Sequence, residues 1–122
     1  MTEEKLSFKQ MCETFDVTPR TLRYYEYIEL LSPERQGRSR FYGPRDVARM
    51  KLILRGRRFG FSLEEVRQWL EIYHHQGTEA QMRTWVDAAT SQLEKLDAQI
   101  ADLQDARAEL EALRDEVAQE LD

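Results

Sequence analysis

The chain has 122 residues, 18 Lys and Arg against 23 Asp and Glu, a formal net charge of −5 and one cysteine. That length suits one modest domain plus an extension, a single thiol excludes an intrachain disulfide, and the net acidity argues weakly against a polyanionic partner. No apolar run approaches the ~20 residues of a membrane span, and MTEEKLSF lacks the basic-then-apolar layout of a signal peptide, so a cytoplasmic location with no membrane partner is expected.

The distribution of charge says more than its sum. Residues 1–75 carry 14 basic and 11 acidic side chains, whereas residues 76–122 carry 4 and 12. Within residues 35–58 nine basic side chains meet one acid, Asp46. The first part therefore holds a concentrated basic patch of the kind that meets a polyanion.

Taken in order, Ser7 to Phe15 predicts a helix. Ser7 and Gln10 form a capping box, and Phe8, Met11, Cys12 and Phe15 make an apolar stripe. Cys12 lies on that stripe and reads as a small buried hydrophobe. Asp16 and Val17 separate it from a second helix, where Thr18 suits the N-cap and Pro19 the first helical position. Leu22, Tyr25 and Ile28 share its apolar face, while Arg20, Thr21, Arg23, Tyr24 and Tyr27 remain for the other side. Two short helices joined by a tight turn, the second bearing arginines, is the helix-turn-helix layout.

Residues 30–42 predict a β-hairpin, with Leu30-Leu31 and Phe41-Tyr42 as short strands, Gly37 at the turn, and Arg35, Arg38 and Arg40 along the ribbon as phosphate ligands. Gly43-Pro44 opens a third helix with the stripe Val47, Met50, Leu52, Ile53 and Leu54, flanked by Arg45, Arg49, Lys51, Arg55, Arg57 and Arg58. Gly56 and Gly60 mark its fraying end. A capping box of Ser62 and Glu65 begins a fourth helix with the stripe Leu63, Val66, Trp69, Leu70 and Tyr73. His74 and His75 at its end read as a solvated terminus rather than a metal pair, since two histidines without a third ligand are a weak signal.

Thr78 and Gln81 start the last helix. From there to Leu121 neither Pro nor Gly occurs, about 43 residues or roughly 65 Å of helix. Met82, Val86, Ala89, Leu93, Leu96, Ile100, Leu103, Leu110 and Val117 fall at alternating steps of three and four, the spacing of a coiled-coil seam, with Arg107 and Arg114 interrupting it. Little chain remains to cover this stripe, so a second copy is the expected partner.

The run TPRTLRYYEYIELLSPERQGRSRFYGPRDVARMKLILRGRRFGFSLEEVRQWL closely resembles the DNA-binding domain of the MerR family of bacterial transcription regulators, over about residues 6–73. The motifs that carry the resemblance are TLRYYE, the basic turn with P-x-R, F-Y and GFSLEE, in that order. It implies a mainly α fold: a winged helix-turn-helix in residues 1–76 with a small β-hairpin wing, followed in residues 77–122 by a long C-terminal helix that forms an antiparallel coiled coil in a homodimer. It further implies that Thr18 to Tyr27 enters the major groove, with Thr18, Arg20, Thr21, Arg23, Tyr24 and Tyr27 near bases or phosphates. Arg35, Arg38, Arg40 and Tyr42 of the wing, and Arg55, Arg57 and Arg58 of the second helical pair, would meet backbone and minor groove. The partners implied are a pseudo-palindromic double-stranded promoter site, a second copy of the chain and, indirectly, RNA polymerase, with activation by bending and untwisting a long promoter spacer.

Three positions depart from the family pattern. Asp16 and Glu29 stand where glycine is usual, and Ser39 stands where the wing commonly has tyrosine. Metal-sensing members carry cysteines around the dimer helix; this chain has none there and ends at Asp122, which argues against thiolate sensing. No cofactor and no enzymatic constellation is expected. A small ligand near Trp69, Tyr73, Trp85 and the histidines is a weaker possibility, as aromatics usually serve as core. A repressor or architectural DNA binder is the alternative of the same class, and a coiled-coil scaffold that of another class. The basic stretch 35–58 speaks against the scaffold.

Overall fold

The computed structural model describes residues 4–74 and 77–121, so His75 lies outside the described residues. The order is β1 (Leu6–Ser7), α1 (Phe8–Phe15), α2 (Pro19–Tyr27), β2 (Glu34–Gln36), β3 (Ser39–Tyr42), α3 (Pro44–Phe59), α4 (Leu63–Tyr73) and α5 (Glu79–Gln119). The chain forms two compact units, Met1–Met82 and Arg83–Asp122. The first turn of α5 thus falls in the first unit, six residues beyond the division expected from sequence.

The helix starts follow local chemistry. Ser7 and Ser62 cap α1 and α4 in reciprocal boxes with Gln10 and Glu65, and the Thr18 side chain accepts the Thr21 N–H. The Thr78 hydroxyl likewise accepts from Gln81 N–H at 3.1 Å. Each satisfies N–H groups that a helix start leaves free.

The sheet is antiparallel, ordered β1-β3-β2, with Leu6 opposite Tyr42 and Glu34 opposite Phe41. It corrects the predicted hairpin in two ways. Leu30 and Leu31 form no strand: they are buried in the core, and the ribbon's first strand begins at Glu34. A third strand, β1, leans on the ribbon and supplies the support that a lone hairpin lacks. Gly37 opens the two-residue turn at φ 65°, and Arg38 has no positive φ, the sign pattern of a type II′ turn.

The end of α2 explains why Leu30 turns inward. Glu29 N–H donates to Glu26 C=O and Leu30 N–H to Tyr25 C=O, a Schellman ending with Glu29 in the left-handed region at φ 64°. Helix α3 ends the same way through Gly60 and Phe61, at φ 92°. Glu29 therefore occupies a position that glycine fills without steric cost, and Asp16 does likewise at φ 52° after α1. Glu29→Gly is expected to raise unfolding free energy by about 0.5–1 kcal/mol, the relief of left-handed strain less the added chain entropy. The check is the shift in urea midpoint at constant slope.

The core of the first unit contains Met11, Leu22, Tyr25, Leu30, Leu31, Tyr42, Met50, Ile53, Phe61, Val66 and Leu70. Gly56 is not a fraying residue, as the sequence suggests, but a buried contact between α3 and α4. A Cβ there would stand 2.8 Å from Val66 Cγ2. Gly56→Val is expected to cost about 2–3 kcal/mol by overpacking, read as a lower unfolding midpoint.

Helix α5, which runs from the end of the first unit through the second, has no buried residue. Met82, Val86, Leu93, Ile100, Leu103, Leu110 and Val117 are 44–70% exposed in the single chain, while Ala89 and Leu96 are half-buried. The seam interruptions take local partners: Arg107 pairs with Glu111 at 3.0 Å and Arg114 with Asp115 at 3.0 Å. No described helix is long and apolar enough to cross a membrane.

Candidate nucleic-acid interface

Helix α2 divides its residues cleanly. Leu22 and Tyr25 are buried, while Arg20 and Arg23 are exposed, as are Tyr24 (50%) and Tyr27 (83%). Thr18 spends its hydroxyl on the cap and on Thr21 Oγ1, 2.9 Å away. An open groove of about 690 Å³ runs along this face, bounded by Arg20, Arg23, Tyr24 and Tyr27 on one side and Arg57 and Leu63 on the other. Arg57 is held there by donating to Phe61 C=O at 2.9 Å. Arg55 and Arg58 are also exposed on the same helix as Arg57. Three guanidiniums and two phenols around one groove can bond phosphate oxygens and reach base edges.

The wing is joined to α2 by Glu26, a residue that the sequence reading passes over. Its carboxylate accepts from Tyr42 Oη at 2.9 Å and stands 3.2 Å from Arg40 Nε. The latter contact is an ion pair without an aligned hydrogen bond. Arg40 and Tyr42 are two apart on β3, so both face Glu26. Tyr42, expected at the DNA surface, is instead fully buried, and burial, followed by the bond to Glu26, pushes its hydroxyl well above the ordinary phenol range. It remains a neutral donor to a carboxylate. Arg40 is likewise turned inward rather than projected to solvent, leaving Arg35 and Arg38 as the exposed cations of the ribbon.

A second set of ties holds the segment leaving α2. Arg67 of α4 donates to Ile28 C=O, Arg49 of α3 donates to Leu30 C=O at 2.8 Å, and buried Asp46 accepts the Ser32 N–H at 3.1 Å. Alternate residues of one loop are thus bonded from the second helical pair, which fixes α2 relative to α3 and α4. Arg49, within the basic stretch, and Arg67, beyond it on α4, are structural cations. Nothing in their spacing separates them from Arg55 or Arg58, because the loop they bond has no sequence pattern.

Cys12 is half-buried, and burial raises its thiol above the ordinary range. That disfavours the thiolate form on which nucleophilic and metal chemistry depend. Among the described residues no group of three or more His, Cys, Asp or Glu is arranged to hold a metal. Trp69 packs with Phe59 and Tyr73 at centroid distances of 6.2 and 6.4 Å, and Phe59 meets Phe61 edge-on. These rings form a packed cluster over α3 and α4.

Comparison with known proteins assigns the arrangement. A family profile described as MerR HTH family regulatory protein matches residues 6–72, and a second, described as MerR, DNA binding, matches residues 47–113. The chain belongs to the MerR family of transcription regulators. It is 36% identical over 110 residues to the HTH-type transcriptional regulator HmrR of Rhizobium leguminosarum bv. viciae, spanning 88% of this chain and 83% of that protein. The crystal structure of a MerR-family transcriptional regulator from Bacillus cereus superposes with a TM-score of 0.65 at 25% identity, covering 86% of this chain and 76% of that one. HiNmlR, a MerR family regulator lacking the sensor domain and bound to promoter DNA, superposes with a TM-score of 0.62 at 19% identity, over 83% and 76% of the chains. This last likeness is one of fold. For a MerR-family chain, the groove along α2 is the natural candidate for the DNA-facing surface. Arg23→Ala is expected to weaken binding to a selected duplex about tenfold or more while leaving the oligomer intact, measured by fluorescence anisotropy and sedimentation.

Proposed function

We propose that this MerR-family chain acts as a homodimer that binds a pseudo-palindromic promoter site and regulates transcription by distorting the DNA between two promoter elements. The observation that carries the proposal is the exposed apolar stripe of α5, in a chain whose recognition helix has only 9 residues. A helix that short reads one half-site, and a twofold pair of them reads an inverted repeat. Burying each seam leucine against a partner helix contributes roughly 1.5–3 kcal/mol.

Arg20, Arg23, Tyr24 and Tyr27 would then face the major groove, and Arg35 and Arg38 the flanking backbone. Arg57 and Arg58 would add phosphate contacts beyond α2, with Arg55 on the same helix. Rigid ties between α2, the wing and the second helical pair make each subunit a stiff clamp. Two stiff clamps joined by a coil force the DNA to conform to them, and bending a site of this size costs on the order of 1–6 kcal/mol, offset by the added phosphate contacts. RNA polymerase would sense the result through the altered alignment of its two elements. The protein in this account is cytoplasmic, has no enzymatic role and needs no cofactor.

Energy transfer between dyes at the two ends of a promoter fragment tests this. The fragment is expected to shorten end to end on saturation with protein. A bound fragment that stays straight would assign the protein to repression by occupancy instead.

A further inference from the structure

Phe8, the first residue of α1, is half-buried, and its ring carries two guanidiniums drawn from the two elements proposed to meet DNA. Arg23 of α2 lies 5.5 Å from the ring centroid and Arg40 of β3 lies 5.4 Å from it. Both are within cation–π range. The two arginines are otherwise treated differently. Arg40 has the Glu26 carboxylate beside it, whereas among the described residues Arg23 has no carboxylate within ion-pair distance. Among the described residues Arg23 is thus held by a ring face and not by a carboxylate.

That combination suits an arginine that must reach a fixed place on a polyanion. A carboxylate partner would orient the side chain but would have to be displaced on binding. An aromatic face orients it and leaves its N–H fork free, so less rotamer freedom is lost when the contact forms. We infer that Phe8 is a positioning residue for DNA recognition, its ring pre-orienting Arg23 toward the duplex and holding it in register with the wing through Arg40. The inference rests on the DNA-binding reading above and adds to it a residue outside both the recognition helix and the wing.

The test uses the full chain and a duplex recovered by in vitro selection from a random-sequence pool. Phe8→Leu keeps the apolar bulk and removes the ring. It is expected to weaken binding about five- to twentyfold, with each of two subunits losing one such contact, and to leave the unfolding midpoint near that of the parent. Phe8→Tyr retains the ring and is expected to bind within about twofold of the parent. In an Arg23→Ala background, Phe8→Leu is expected to have almost no further effect. Equal loss in both backgrounds would show a merely structural residue and overturn the inference, as would parental affinity in Phe8→Leu. A measurement on the unaltered protein stands beside these, because the Arg23 δ-methylene protons should be shifted upfield by the Phe8 ring current. Their appearance at ordinary positions would also overturn it. A parent chain that enriches no duplex would remove the DNA-binding reading and this inference together, whereas failure of the Phe8 arms alone leaves that reading standing.

Discussion

Replacing Ile100 and Leu103 together by lysine is expected to yield a monomer that no longer holds the two-half-site duplex at the parent's affinity. Both side chains are more than half exposed in the single chain, so their replacement removes nothing from the core of the first unit. In a twofold dimer the double change withdraws four apolar side chains from the interface, a loss of roughly 6–12 kcal/mol, before counting the charges introduced into the seam. Sedimentation should move from two copies to one, while near-ultraviolet circular dichroism of the aromatic cluster around Trp69 persists. A variant that still sediments as the parent would place the dimer contact elsewhere. Half-site binding by such a monomer should be weaker by several orders of magnitude, since linking two sites multiplies affinity without any new contact.

Raising the salt from 50 to 200 mM is expected to weaken DNA binding about a thousandfold. Arg20, Arg23, Arg35, Arg38, Arg57 and Arg58 are exposed in each chain, so a dimer can neutralise some six to ten phosphates and release their counterions. The logarithmic slope should fall by about two for each arginine changed that meets phosphate, since the dimer loses two contacts, and by nothing for Arg49 or Arg67, which are half-buried with their guanidiniums on backbone carbonyls. Arg49→Ala should instead lower stability, because it strands the Leu30 carbonyl. The acidic second unit makes this separation informative: a flat salt dependence would mean that the basic groove is not the binding surface.

What the sequence reveals follows the range of the physics involved. Ser7 with Gln10, Ser62 with Glu65 and Thr78 with Gln81 are bonds between residues three apart, so these helix starts are visible in the primary structure. The seam of α5 is visible for the same reason, being a repeat within one helix. Phe41-Tyr42 illustrates the opposite case. The pair reads as a strand, and the family resemblance puts Tyr42 near DNA, but which face is inside depends on the two-residue strand β1 and on Glu26, both distant in sequence. A lone glutamate on an arginine-bearing helix also gives no sign that it clasps another element. Leu30-Leu31 reads as a strand because an apolar pair beside a turn usually is one. The left-handed backbone at Glu29 redirects it into the core, and a glutamate is a poor advertisement for that geometry. Among the arginines, composition separates none of the structural ones from the exposed ones: Arg49 and Arg67 are half-buried against the carbonyls of Leu30 and Ile28, whereas Arg57 bonds the Phe61 carbonyl and stays exposed.

The central claim is that two copies of this chain read an inverted repeat within a promoter. Sequencing of genomic DNA fragments bound by the purified protein tests it most directly. The account predicts enrichment of a pseudo-palindrome with half-sites about one helical turn or a multiple apart, lying between promoter elements. Enrichment of fragments without twofold symmetry, or no enrichment over input DNA, would contradict it.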